Sequence, residues 1–284
     1  MNPPLSVGQC ATLACLLEAT APKVGNVHRG ADFADTTFTD FAVSSVAIAP
    51  AMQDAVQSGV GKAVLAAVTA TRAVVSTNTN LGMVLLIAPL AAVPPSEPLT
   101  SDTVGQVLKK LSAVDAAAVY EAIRLARPGG LGTAKSLDVH EQAPPDLLTA
   151  MQLAAERDLV ARQYVDNFQL VFESALPALL AGRVAGLSLT DAIVHTHLRL
   201  IAEHGDSLIA RKCGAEVSQR AATIAAQVLA AGPPGNEDYY AALADFDFWL
   251  RSDNNRRNPG TTADLLAVTL FTALRNNELP PPWQ

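Results

Sequence analysis

Apolar positions dominate this chain in long runs, and short polar islands carrying Pro and Gly break them up. Breaks fall at Pro22–Gly30, Pro94–Pro98, Pro128–Gly132, Pro144–Pro145, Gly232–Gly235 and Pro259–Gly260. The runs between them are about 12 to 25 residues long, which is helix length, and none shows the two-residue alternation of a strand. The spacing predicts helices over 5–20, 38–57, 60–76, 82–92, 101–111, 113–127, 145–156, 158–182, 188–203, 205–230, 236–251 and 261–276. Several of these would be apolar nearly all round, as helices buried on every side are. The expected fold is all-α: a compact multi-helix bundle of about 10–12 helices with buried central helices, in one domain over 1–284.

Composition supports that reading. The chain has 284 residues, of which 50% are hydrophobic and only 5% aromatic, and Ala and Leu, both strong helix formers, prevail. Lys and Arg total 20 against 27 Asp and Glu, a net charge of -7. Basic residues are scattered rather than striped, which argues against a nucleic-acid partner, because phosphate backbones demand clustered positive charge. The longest apolar run, Leu81 to Val93, contains Pro89 and is too short to span a bilayer. No basic stretch precedes the first apolar run, so a signal peptide is not expected. Cys10, Cys15 and Cys213 form no C-x-x-C pair, which fits buried free thiols and a cytoplasmic setting.

Chemistry-capable residues gather in five islands. The densest reads E-A-T-A-P-K-V-G-N-V-H-R-G-A-D-F-A-D, from Glu18 to Asp35. Glu18 comes late in an apolar helix, where the helix dipole disfavours a carboxylate, so a cation or a metal is expected beside it. Asp32 and Asp35, with Asp40 after them, suit Mg²⁺ in an oxygen-rich loop, or cap the next helix. Ser76–Gly82 places Asn78 and Asn80 after a buried helix, as ligand contacts or as a helix break. Arg127–His140 holds a Gly-Gly-Leu-Gly loop with Lys135, Asp138 and His140, able to approach an anion. Glu203–Gly214 sets Asp206 before Arg211 and Lys212, which could hold phosphate oxygens or lie on a solvated face. His195 and His197 point to different faces of a helix and lack zinc spacing. Arg251–Asp264 ends in Pro259–Gly260 at a helix start that could bind phosphate, with Thr261 and Asp264 resembling a capping box.

Taken in series, four of these segments resemble the triphosphoribosyl-dephospho-CoA synthase family. E-A-T-A-P-K-V-G-N-V-H-R resembles the family's E…T-P-K-P-G-L-V-D, and S-T-N-T-N-L-G its N-T-H-K-G. D-S-L-I-A-R-K-C-G is similar to D-T-x-x-x-R-x-G, and N-P-G-T-T-A-D-L-L-A to N-P-G-G-S-A-D-L-L-A. Order and rough spacing agree over nearly the whole chain. Lys23–Val24–Gly25 departs from Lys-Pro-Gly, Asn80–Leu81 from His-Lys, and Gly129–Asp138 stands where the family has G-A-R-G-E-A.

The resemblance implies an all-helical transferase using ATP as triphosphoribosyl donor. A ribose hydroxyl of dephospho-CoA, or of a related cofactor precursor, attacks C1′ of the ATP ribose and adenine leaves. Such glycosidic cleavage passes through an oxocarbenium-like state and calls for a carboxylate, with Mg²⁺ and basic side chains on the triphosphate. The expected catalytic residues are Glu18, Asp32, Asp35 and Asp206. Lys23, Arg29, Asn78, Asn80, Lys135, Arg211, Lys212 and Gly260 are expected at the nucleotide, and Asp32, Asp35, Asp138, Asp206 and Asp264 at the metal. A homodimer is compatible with the chain. Two other readings use the same islands: an Mg²⁺-dependent nucleotide N-glycoside hydrolase, and a non-catalytic nucleotide-binding protein.

Overall fold

Side-chain caps and backbone breaks divide the apolar runs into helices. The structure, a computed structural model, describes residues 5–129, 144–281 and 283. Lys135, Asp138 and His140 lie outside the described residues. Ser6 and Gln9 form a capping box that starts α1 (Val7–Thr20). Thr37 and Asp40 do the same for α2 (Phe38–Ala47), so Asp40 is a cap.

The helix expected over 38–57 is three pieces: α2, α3 (Ala49–Gln53) and α4 (Ala55–Ser58). Pro50 stands in the first turn of α3, where its missing N–H is tolerated but cannot continue the helix before it. Gly59, with φ 83°, then ends α4 ahead of α5 (Val60–Val74).

Helix α6 (Leu81–Ala91) is buried at every position except Gly82. Pro89 inside it has no N–H for the carbonyl of Leu85, four residues back. The hydroxyl of Tyr164 donates to that carbonyl at 2.6 Å, so the buried acceptor is satisfied. Beyond it come α7 (Ser101–Leu108), α8 (Ala113–Ala126), α9 (Leu147–Ala154) and α10 (Leu159–Val165).

The helix expected over 158–182 also breaks. Asn167 and Phe168 take positive φ of 54° and 63° after α10. A π-helical turn at Val171–Ala175 then leads into α11 (Leu176–Val184). Helix α12 (Leu189–His204) follows. Gly214, with φ 101°, splits the span 205–230 into α13 (Ser207–Cys213) and α14 (Ala215–Ala230). The last two helices are α15 (Glu237–Arg251) and α16 (Gly260–Arg275).

These breaks raise the count to sixteen α-helices among the described residues, above the expected 10–12, while the all-α class stands. Pairing of β type among those residues is one isolated bridge, between His28 and Ala31. Helix α16 is the central element. It is buried along nearly its whole length and packs against α1, α6 and α12. One cluster of buried apolar side chains runs from Val7 to Leu279. No helix of the described residues is long and apolar enough to cross a membrane.

Candidate active site

A cleft of about 1540 Å³ opens at the N-terminal ends of α6 and α16. Its walls come from the loop after α1, the loop before α6, helices α8 to α10, and the α13 and α15–α16 segments. Four of the five polar islands reach it, and the described part of the remaining one contributes Arg127, Pro128 and Gly129 through its first residues.

The loop after α1 is fixed first. Gly25 takes φ 71°, and a Cβ there would stand 2.8 Å from Leu250 Cδ1, so only glycine fits. Its N–H donates to Asp247 Oδ1 at 2.7 Å, and Asp247 in turn pairs with Arg251. Arg251 donates to the carbonyl of Asn26 at 2.6 Å.

Glu18 has the cation beside it that its helix-end position demands. Lys23 Nζ lies 2.9 Å from Glu18 Oε1, both fully buried. Lys23 also donates to the carbonyls of Glu18 and of Ala21, so two of its protons cap the end of α1 and the third pairs with the Glu18 carboxylate. Lys23 is therefore not a phosphate ligand, contrary to expectation: it is 0% exposed, has no proton to spare and does not line the cleft. Glu18 does line the cleft. Burial pushes its carboxyl up, and Lys23 opposes that. Below the cleft, Asn26 Nδ2 lies 3.3 Å from Nε2 of the buried His197. Burial and then the Lys23 charge push the His197 imidazole down to about 3.

Asp206 is a structural clamp rather than a catalytic or metal-binding group. One carboxylate oxygen accepts the N–H groups of Leu208 and Ile209, at 2.8 and 3.0 Å, and so caps α13. The other accepts the N–H and the hydroxyl of Thr262, each at 2.8 Å. Both oxygens are thus occupied, and the residue is 0% exposed. That clamp also takes the Thr262 N–H at the start of α16, and the Gly260 N–H goes to the Asn258 carbonyl at 2.9 Å. Gly260 lines the cleft, but its own N–H is not free for phosphate.

Asp264, one turn further along α16, lines the cleft beside Gly82. Its carboxyl has no hydrogen-bond partner among the described residues. The residue keeps partial exposure and lines the cleft. Burial raises it well above the usual carboxylate range, then Glu18, Asp206 and Asp158 add to that, and Arg211 opposes.

The remaining expected residues divide between rim and surface. Asp35, Asn78, Asn80, Arg211 and Lys212 line the cleft. Asn78 also caps α6 by accepting the Leu81 N–H at 3.1 Å, and Asn80 ties to Thr71 at 3.0 Å. Arg211 pairs with Asp158 at 2.7 Å, and Lys212 donates to Asn258 at 3.0 Å. Burial lowers the Lys212 ammonium, while Asp206 and Asp35 are among the charges that raise it. Arg29 and Asp32 are exposed and outside the cleft wall, and Asp32 accepts the Phe38 N–H at 2.7 Å.

Sequence reasoning missed Arg72, Arg157 and Arg256 at the cleft, and Asp158 opposite Arg211. Arg256 sat inside a quoted island without being singled out. Arg72 stands alone in an otherwise apolar stretch and Arg157 sits between Glu156 and Asp158, where a charge reads as an ordinary solvated face. With Arg127, Arg211 and Lys212 they bring six cations to one cleft of a net-acidic chain.

Residues 4–281 match the family model described as CitG: ATP:dephospho-CoA triphosphoribosyl transferase. The chain belongs to this family. It is accordingly a transferase, of a family that moves the triphosphoribosyl group of ATP to dephospho-CoA. A crystal structure from Archaeoglobus fulgidus, assigned to a triphosphoribosyl-dephospho-CoA synthase, aligns with a TM-score of 0.63 at 24% identity. The alignment covers 85% of this chain and 99% of that one, and it supports the fold. No curated protein matches the chain.

Of the five carboxylates expected at a metal, Asp138 lies outside the described residues. Among the described residues, no three His, Cys, Asp or Glu side chains gather where a metal ion could sit. Asp32 is on the surface, Asp206 has both oxygens bonded, Asp264 is enclosed beside Gly82, and Asp35 is at the rim. These four do not form a resident Mg²⁺ cage. A polyphosphate needs none, because Mg²⁺ bound to ATP keeps its waters and takes one or two protein carboxylates.

Proposed function

We propose that the cleft binds ATP and dephospho-CoA together and transfers the triphosphoribosyl group with Glu18 as base. The observation that carries this reading is the polarity of the cleft. Six cations line a cleft that also holds the carboxyls of Glu18 and Asp264. Arg211 and Lys212 hold the triphosphate, and Mg²⁺ enters as part of the ATP complex, with Asp35 beside Lys212 as its protein carboxylate.

The ribose then projects toward these carboxyls. Glu18, anchored through one oxygen by Lys23, accepts the proton of the incoming ribose hydroxyl. The O–C1′ bond forms as the C1′–N9 bond breaks, and adenine is released. The cleft's apolar wall, including Val119, Leu147 and Met151, limits water access to the oxocarbenium-like centre. Both substrates belong to the cell interior, and with three free cysteines this supports a cytoplasmic enzyme. Assembly as a homodimer completes the reading, and sedimentation velocity tests it.

The deciding experiment incubates the full chain with ATP, Mg²⁺ and dephospho-CoA and follows adenine and product mass. Equal amounts of free adenine and a triphosphoribosyl adduct are expected. Adenine release at the same rate without acceptor points to hydrolysis, and ATP binding without any turnover overturns the transferase reading.

A further inference from the structure

We propose that Asp264 is the general acid that gives a proton to the departing adenine. This inference rests on the transfer reading above and adds a second catalytic residue to it.

The geometry begins at Gly82. A Cβ there would stand 2.0 Å from Asp264 Oδ2 and 2.5 Å from its carboxyl carbon. Helix α6 is thus bare at the one position where the Asp264 carboxyl enters the wall, and every other residue of α6 is buried. The carboxyl opens on the cleft, shares it with Glu18 and has no hydrogen-bond partner among the described residues. A largely enclosed carboxyl that caps no helix and pairs with no cation has a chemical use or a folding cost.

Burial first, and then the charges around it, favour its protonated form. Glu18, Asp206 and Asp158 face it with negative charge, and Arg211 alone opposes them. Arg211 is already paired with Asp158 at 2.7 Å. Glu18 has Lys23 at 2.9 Å. Of the two carboxyls in the cleft, Glu18 is therefore the one that ionises, and Asp264 keeps the proton. Two titratable groups pushed apart by their surroundings are the pattern of an acid and a base.

The step balances. The attacking hydroxyl loses its proton to Glu18 as its oxygen bonds to C1′. The C1′–N9 electron pair leaves with the purine, and the Asp264 proton goes to a ring nitrogen, so neutral adenine departs. Glu18 is then protonated and Asp264 ionised. One proton passing from Glu18 to Asp264 restores the starting state.

The test compares two donors in the full chain with Mg²⁺ and dephospho-CoA: ATP, and ATP methylated at N7 of the purine. The methylated base already carries positive charge and needs no acid to leave. Asp264→Asn is expected to slow ATP turnover by about 100-fold or more and to lose the fall in rate at high pH. With the N7-methylated donor, the variant is expected to stay near the wild-type rate. Gly82→Ala, which displaces the carboxyl without removing it, is expected to lower kcat for ATP while KM is held. Both variants are checked for native helicity and cooperative unfolding. Equal losses with the two donors, or an unchanged alkaline limb in Asp264→Asn, overturn the inference alone. Absence of adenine release by the wild type from ATP overturns the transfer reading, and the inference with it.

Discussion

Asp206 and Asp264 are both enclosed carboxyls beside the first turns of α16, and their bonding could hardly differ more. Asp206 accepts four hydrogen bonds and ties two helix starts together. Asp264 accepts none from the described residues and opens on the cleft. In the sequence each is an Asp in a polar island, and Asp206 has the more suggestive neighbours in Arg211 and Lys212. Saturation by backbone N–H groups, which only coordinates reveal, separates the clamp from the reactive group. The same contrast divides Lys23, with every proton used, from Glu18, with one oxygen anchored and the residue still reaching the cleft.

The largest effect expected is at Glu18. Glu18→Gln keeps an acceptor for Lys23 but removes the base, and adenine release should fall about 1000-fold with little change in KM. Lys23 loses its counter-charge in that variant, so the unfolding temperature should also drop, and rates are read well below it. A rate within tenfold of wild type would take Glu18 out of the chemistry and leave it as the partner of a capping lysine.

Breaking the clamp tests the other side of the contrast. Asp206→Ala strips four donors of their acceptor and should cost about 3 kcal/mol of stability, read by urea denaturation. Asp264→Asn removes no hydrogen bond to a described residue and ends the cost of holding a proton that the unfolded chain releases, so its stability near neutral pH should match or exceed wild type. If the two substitutions destabilise equally, the distinction between clamp and reactive group is lost. A smaller effect is expected at the rim. Arg211→Ala or Lys212→Ala should raise KM for ATP about tenfold each and change kcat less, because these groups hold the triphosphate before and during transfer.

The fold was largely legible because local rules set it. Helix composition and most Pro and Gly breaks agree between sequence and structure, while the break at Gly214 and the capping boxes at Ser6 and Thr37 came only with the structure. The breaks at Asn167–Phe168 and before Pro50 were not legible, since non-glycine residues at positive φ and a proline in a first turn look helical in a window. Residues of all five islands line one cleft, because polar loops between apolar helices end at the surface of the bundle. Their internal roles were not legible. Whether Lys23 meets a phosphate or the carbonyls that end its own helix depends on a backbone turn at Gly25 and on an ion pair made in three dimensions. The cation lining was missed for the same reason: Arg72, Arg127, Arg157 and Arg256 are far apart in the chain and come together only when the helices pack.

The smallest effect, and the sharpest in sign, lies in the pH dependence of stability. His197 is buried and neutral, with its imidazole pushed down to about 3 by burial and by Lys23. An unfolded histidine takes a proton near pH 6.5, so as pH falls below that the unfolded chain binds a proton the fold refuses. Stability should then fall by about 1 kcal/mol for the first pH unit below 6.5, and His197→Gln should flatten that slope. Asp264 works in the opposite direction. Its raised carboxyl keeps a proton in the fold that the unfolded chain releases above about pH 4, so its contribution is full below that point and is lost as pH rises. Between pH 4 and 6.5 the two slopes oppose each other, and the wild-type curve alone shows only their difference. Urea titrations at pH 4.5, 5.5 and 6.5 on His197→Gln and on Asp264→Asn should tilt in opposite directions from wild type. A tilt of the same sign in both would mean that Asp264 is ionised in the resting fold, and the contrast between a bonded and an unbonded carboxyl would lose its chemical meaning.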